Sequence, residues 1–206
     1  MIGSSLGCMH SFMWAEMYPD LMDGIVGLSC QPVEISGRNR ISRRAAAEAI
    51  RHDPDWNNGN YDKNPTHYIY SAAGGSFMPE SAARIQEMAP TRAAADQFYD
   101  ERVARLAKAD ANDSLWAIES IDDYSPEPDL PKIKAKVLLI NTVEDEANSP
   151  EFGTVERARK KIRDGSYVLT PYSDKTHGHF THYYAAVWKP YLISFMSSLG
   201  PVATAR

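Results

Sequence analysis

Lys136-Val137-Leu138-Leu139-Ile140 is a near-continuous apolar run, the pattern of a parallel strand covered on both faces. The residues after it fit that placement. Phe152, Val155, Ala158 and Ile162 mark one helical face, with Gly165 expected as its C-terminal cap. Tyr167-Val168-Leu169-Thr170 reads as the next strand. A last helix carries Val187, Trp188, Tyr191, Leu192, Phe195 and Met196 on one side, and Pro190 should kink it or shift its start. Strand, helix, strand, helix implies βαβ units and a parallel sheet, an α/β fold.

The N-terminal segment has related character. Leu6, Met9, Met13 and Met17 recur at helical spacing, so the methionines are expected to face a sheet. Pro19-Asp20 stops that helix, and Ile25-Val26-Gly27-Leu28 reads as a short buried strand ending at Ser29 and Cys30. The chain therefore opens turn, helix, strand. From Glu34 to Tyr124 the character turns polar and helical, with helices expected near Arg40–His52, Pro79–Met88 and Thr91–Ala109. The run Trp56-Asn57-Asn58-Gly59-Asn60-Tyr61 is loop chemistry. The proline-rich stretch Ser125–Pro131 is a stiff connector. This gives an α/β core of residues 1–33 and 126–206 and a helical insertion over 34–125.

Composition removes several classes. Hydrophobic residues at 43% and charged ones at 24% exclude a disordered chain, a collagen-like repeat and a coiled-coil rod. A net charge of −5 argues against a nucleic-acid partner. Two cysteines, Cys8 and Cys30, make no disulfide framework, and Cys8 is expected as a small packing residue. No apolar run is long enough to span a membrane, and no signal-peptide pattern is visible, so a soluble cytoplasmic chain is expected.

Gly3-Ser4-Ser5-Leu6-Gly7 fits the G-x-S-x-G nucleophile elbow, which sets a serine on a sharp strand-to-helix turn. Ser5 is then the nucleophile, and the N–H of Leu6 supplies an oxyanion donor. Such a serine needs a base and the base an orienting acid, in the chain order serine, acid, histidine. Glu144-Asp145-Glu146 follows one expected strand, and Thr176-His177-Gly178-His179 follows the next. His177, His179 and His182 also have a superficially metal-like spacing, but Thr181 stands where that pattern wants aspartate, and no metal is expected.

Ile2-Gly3-Ser4-Ser5-Leu6-Gly7-Cys8-Met9, Trp14-Ala15, Tyr18-Pro19, Ala49-Ile50 with Asp53-Pro54, then Trp56, Gly59 and Tyr61 form a wider pattern. Asp145 followed by Pro150, and Gly178-His179, complete it. With these the chain resembles the α/β-hydrolase superfamily, and within it the homoserine O-acetyltransferase family. The resemblance implies Ser5 as nucleophile, Asp145 as acid, His179 as base and residues 34–125 as a helical lid. It implies a small-molecule ester or thioester substrate and no cofactor, with acyl-CoA admissible as acyl donor. Homodimers are common in that family.

Three departures stand out. The lid arginine that suits a substrate carboxylate in the homoserine enzymes is Ala47 here, with Arg43 or Arg44 a helical turn away. The residue after the histidine is Phe180 rather than aspartate. Met1 lies only four residues before Ser5, so the strands ahead of the elbow, including the one that feeds it, are expected to be missing. The sheet is then N-terminally incomplete, the Ile25 strand becomes an edge, and the second oxyanion donor is lost. The expected activity is serine-dependent acyl transfer to water or an alcohol. The competing expectation is a non-catalytic fragment or pseudoenzyme that binds a partner, such as its missing N-terminal half.

Overall fold

In the computed structural model, which describes residues 1–75 and 77–200, the chain divides into two units. One takes Met1–Glu34, Pro79–Ser81 and the chain from Tyr124 onward; the other takes Ile35–Met78 and Ala82–Asp123. The first is built on β1 (Ile2–Ser4), β2 (Gly24–Leu28), β3 (Lys136–Thr142) and β4 (Gly165–Thr170), in the spatial order β1-β2-β3-β4. Every pairing is parallel, with Gly3 beside Gly27, Gly27 beside Leu139 and Ile140 beside Val168. Helix α1 (Leu6–Met17) joins β1 to β2, and α7 (Thr154–Arg159) joins β3 to β4.

The apolar run in β3 has a direct packing cause. Successive strand residues point to opposite faces. Val137 and Leu139 enter a core with Cys8, Phe12, Ala15, Val155, Ala158 and Ile162. Leu138 and Ile140 enter another with Val26, Leu28 and Phe195 of the C-terminal helix (Ala185–Ser198).

Several expectations need correction. A strand does feed Ser5: it is the three-residue β1, so β2 is an inner strand with all five residues buried, and the end strands of the described sheet are β1 and β4. Helix α1 buries Cys8, Met9, Ser11, Phe12 and Ala15, whereas Met17 is 58% exposed. The buried face therefore keeps Met9 but otherwise runs through Cys8, Phe12 and Ala15, leaving Leu6 and Met17 of the expected stripe outside it. Gly165 does not cap a helix; it opens β4, where a Cβ would fall 2.9 Å from the Arg159 carbonyl oxygen. Phe152 is exposed and belongs to the turn before α7. The C-terminal helix continues through Pro190, and its inward residues are Trp188, Leu192 and Phe195, joined by Leu199 just past its end, with Met196 exposed.

Cys8 and Cys30 are joined in a disulfide, with Cα atoms 6.3 Å apart. Gly27 makes room for it, since a Cβ there would sit 2.4 Å from the Cys8 sulfur.

The second unit holds α2 (Gly37–Arg51), α3 (His67–Gly75), α4 (Ala82–Met88), α5 (Arg92–Leu106) and α6 (Ala111–Glu119). Its core is Ala47, Ile50, Tyr68, Ile69, Ala111 and Leu115. Arg40 pairs with Asp122 and Arg51 with Glu119. The Trp56–Tyr61 loop is tied to the start of α6: Trp56 Nε1 donates to Asn112 Oδ1 at 2.8 Å, and Asn112 Nδ2 donates to the Gly59 carbonyl at 3.0 Å. Tyr61 donates to Asp110 Oδ2 at 2.8 Å.

Candidate active site

Ser5 sits where β1 turns into α1, with φ at 51° and ψ at −119°. Positive φ is strained for a non-glycine residue and clusters at functional turns. The strain is held by Ser5 N–H donating to the Leu28 carbonyl at 2.9 Å, and by Cys8 and Met9 amides donating to the Ser5 carbonyl. The two motif glycines differ in role. A Cβ on Gly3 would lie 2.2 Å from the Gly7 carbonyl oxygen, so the strand and helix can meet only without it; a Cβ on Gly7 would meet nothing within 4 Å. Leu6 N–H lies in the first turn of α1, where amides have no carbonyl a turn below.

Asp145 follows β3 and its side chain is fully buried. Its Oδ1 accepts from the Ala147 and Asn148 amides at 3.0 and 3.1 Å, capping the turn Glu146–Asn148. Its Oδ2 lies 3.0 Å from His179 Nδ1, and His179 Nε2 lies 2.8 Å from Ser5 Oγ. The assigned tautomer follows from these partners: Nδ1–H faces the carboxylate and the Nε2 lone pair faces the hydroxyl.

The neighbouring acids do other things. Glu144 accepts from Ser81 Oγ at 2.7 Å and from Gly178 N–H at 3.1 Å, while Glu146 is exposed. Gly178 has φ at 58°, and a Cβ there would lie 2.9 Å from Ser81 N. His179 N–H donates to the Pro79 carbonyl at 3.0 Å. Pro79–Ser81 thus backs the histidine loop. His182 Nδ1 lies 2.7 Å from the His179 carbonyl, and burial pushes this imidazole below its ordinary value, so it is held as a neutral donor. His177 stacks on Tyr184 at 3.8 Å between ring centres.

No protein-family model matches the chain. The homoserine O-acetyltransferase of Haemophilus influenzae is 29% identical over 171 residues, which is 72% of this chain and 48% of that protein. The crystal structure of homoserine O-acetyltransferase from Bacillus anthracis superposes with a TM-score of 0.81 at 18% identity, covering 100% of this chain and 60% of that one. An acetylester hydrolase from Corynebacterium glutamicum gives a TM-score of 0.69 at 14% identity over 96% of this chain and 59% of that one. The chain has the α/β-hydrolase fold. It spans about half the length of the curated relatives it matches. Those relatives and neighbours are enzymes of acyl transfer and ester hydrolysis.

In this chain Ser5 of the elbow motif, and Asp145 and His179 implied by the family resemblance, form one hydrogen-bonded series. Leu6 N–H lies in the turn beside Ser5. Sequence reading missed Asn148, whose Nδ2 lies 3.0 Å from Asp145 Oδ2 and 3.1 Å from the Ser29 carbonyl oxygen. It missed Asn141 as well, which exchanges hydrogen bonds with the backbone of Cys30. Both asparagines lie on or just after the apolar β3 run, the one signal that would have drawn attention to them. Ala47, where the homoserine enzymes carry arginine, is buried in the helical core; Arg44 pairs with Glu48, and Arg43 Nε donates to Asn39.

Proposed function

We propose that the chain carries the reacting residues of a serine-dependent acyl-transfer enzyme acting on a small ester or thioester. The observation that supports it most is the Ser5–His179–Asp145 series, at 2.8 and 3.0 Å, with its serine on a strained turn. Ser5 Oγ attacks the carbonyl carbon as its proton passes to His179 Nε2, and the carbonyl oxygen takes the electron pair. Leu6 N–H donates to that oxyanion. The tetrahedral adduct expels the alcohol or thiol, which leaves with the proton from His179, and an acyl-serine remains. Water or an acceptor alcohol, deprotonated by His179, then releases the acyl group and restores Ser5.

Asp145 holds the imidazole in the productive tautomer throughout and stabilises the imidazolium that forms twice per cycle. Alanine at position 47 offers no cation, so substrates other than homoserine are favoured.

The reading is tested by intact-mass measurement after treatment with a fluorophosphonate. One adduct on the parent chain and none on Ser5→Ala is the expected result. A folded parent chain without an adduct would refute it.

A further inference from the structure

Asn148 is buried and its side-chain amide reaches three groups at once. Nδ2 is 3.1 Å from the Ser29 carbonyl oxygen, 3.0 Å from Asp145 Oδ2 and 3.2 Å from His179 Nδ1. Two of those partners are acceptors only, which fixes the amide nitrogen as the atom pointing inward. It has two hydrogens, and they go to Ser29 and Asp145. The approach to His179 Nδ1 is then between two donors that share one acceptor. Nδ2, Nδ1 and Oδ2 form a nearly equilateral triangle, with sides of 3.0, 3.0 and 3.2 Å.

This geometry has a chemical consequence. Oδ2 divides its charge between the imidazole and the amide. The amide also ties the carboxylate to Ser29, a residue at the end of β2 whose φ is 51° and whose N–H donates to the Ile140 carbonyl at 3.0 Å. Asp145 is thereby braced against the sheet rather than only against its own turn.

We infer that Asn148 is a positioning residue for the Asp145–His179 pair, an inference that rests on the acyl-transfer function proposed for Ser5. It fixes the plane in which His179 meets the carboxylate, and it takes up part of the negative charge that Oδ2 presents to the imidazole. The other groups facing His179 are Ser5 on the elbow and His182, held neutral by burial; Glu144 acts one residue away, through the Gly178 amide.

The test is the rate of fluorophosphonate labelling as a function of pH, on the parent chain, Asn148→Leu and Asn148→Asp. Leucine keeps the volume without a donor, so Oδ2 turns wholly to His179. The limiting rate should fall roughly ten- to a hundredfold from lost orientation. The midpoint of the acid limb should rise by about one pH unit, because the imidazolium is now better stabilised. Aspartate keeps the shape and sets a second carboxyl against Asp145 Oδ2; the two share a proton until the second ionises beside the imidazolium, so its midpoint should also rise above the parent's, at the cost of a lower limiting rate. A residue with a packing role alone would leave the isosteric aspartate as the milder change, with no movement of the midpoint.

Folding of each variant is checked by near-ultraviolet circular dichroism; if the leucine variant does not fold, the aspartate variant alone decides. Folded variants whose midpoints coincide with the parent's overturn the inference while leaving Ser5 as nucleophile. A parent chain that shows no Ser5-dependent labelling overturns the inference together with the acyl-transfer function beneath it.

Discussion

A methyl group is enough to separate the two glycines of the elbow. Gly3→Ala forces a carbon to within 2.2 Å of the Gly7 carbonyl oxygen, so β1 and α1 must part. Overpacking of this kind costs about 1–3 kcal/mol and moves Ser5 with it. Gly7→Ala meets open space inside a helix, where alanine is favoured by up to about 1 kcal/mol. Urea denaturation and fluorophosphonate labelling of the two variants should therefore diverge, and equal losses would mean that close approach is not what position 3 requires. Glu16, at the far end of α1, makes a different residue-level prediction. Burial first, and then the charge of Asp129, push its carboxyl up to about 7 from 4.5, against the opposing pull of Lys132. Its Oε1 also has no hydrogen-bond partner. The folded chain keeps a proton that the unfolded chain has released, so stability falls as pH climbs from about 4.5 to 7. Glu16→Gln removes that loss: urea midpoints should match the parent's near pH 4, where the carboxyl is protonated in both states, and exceed it at pH 8. A parent midpoint that does not fall across this window would refute the assignment.

Helices of the second unit depend on polar ties that hydrophobic spacing does not display. Asp53 is buried, and its carboxylate accepts from Tyr68 N–H in the first turn of α3 at 2.8 Å and from Asp55 N–H at 3.0 Å. Burial opposes its ionisation, but these amides and His67 outweigh burial and hold it below the ordinary 3.8. Asp53→Ala should cost about 1–3 kcal/mol at pH 7, the usual loss when buried donors are left without their acceptor. Because the folded value is depressed, the ionic part of this support is present above pH 3.8 and is lost as pH falls through the folded value. Urea unfolding of parent and Asp53→Asn should therefore converge in strong acid, and a constant gap down to pH 2 would refute it. The same contrast explains what could be read in advance. The strands β2 and β3 announce themselves through Ile25–Leu28 and Val137–Ile140, because burial on two faces leaves an apolar run, while β4, only partly buried, shows in the short run Tyr167–Thr170. β1 is three residues ending at Ser4 and has no such run. Helices α3 and α6 went unread, since neither Tyr68 and Ile69 nor Ala111 and Leu115 makes a full stripe without the other. Ser5 stands out by a local motif, chain order narrows the other two candidates to Glu144–Glu146 and His177–His179, and only the family resemblance picks Asp145 and His179. Asn148 and the Glu144–Ser81 tie are not legible, because their meaning lies in contacts 119 and 63 residues apart.

At the scale of the molecule, the sheet is covered on its faces, and among the described residues β1 and β4 are its two end strands. Helices and cores cover both sides of β3, whereas among the described strands β1 pairs only with β2, and β4 only with β3. An unpaired strand edge offers its N–H and C=O groups to another chain, and proteins usually blunt such edges with charge or proline. Here the edge residue Ile2 is 54% exposed, and α1 beside it leaves Trp14, Met17 and Tyr18 exposed, with the Trp14 and Tyr18 rings 5.3 Å apart. Large exposed apolar groups next to a free edge favour association. The 206-residue chain should therefore show an apparent mass that rises with concentration in light scattering. Ile2→Lys should suppress that rise, since a charge on the edge disfavours strand addition while the backbone pairing of β1 with β2 is untouched. A substitution far from this edge, such as Ile41→Lys on an exposed helical position, should leave the rise in place. If both lysine variants behaved like the parent, or both abolished association, the β1 edge would not be its cause.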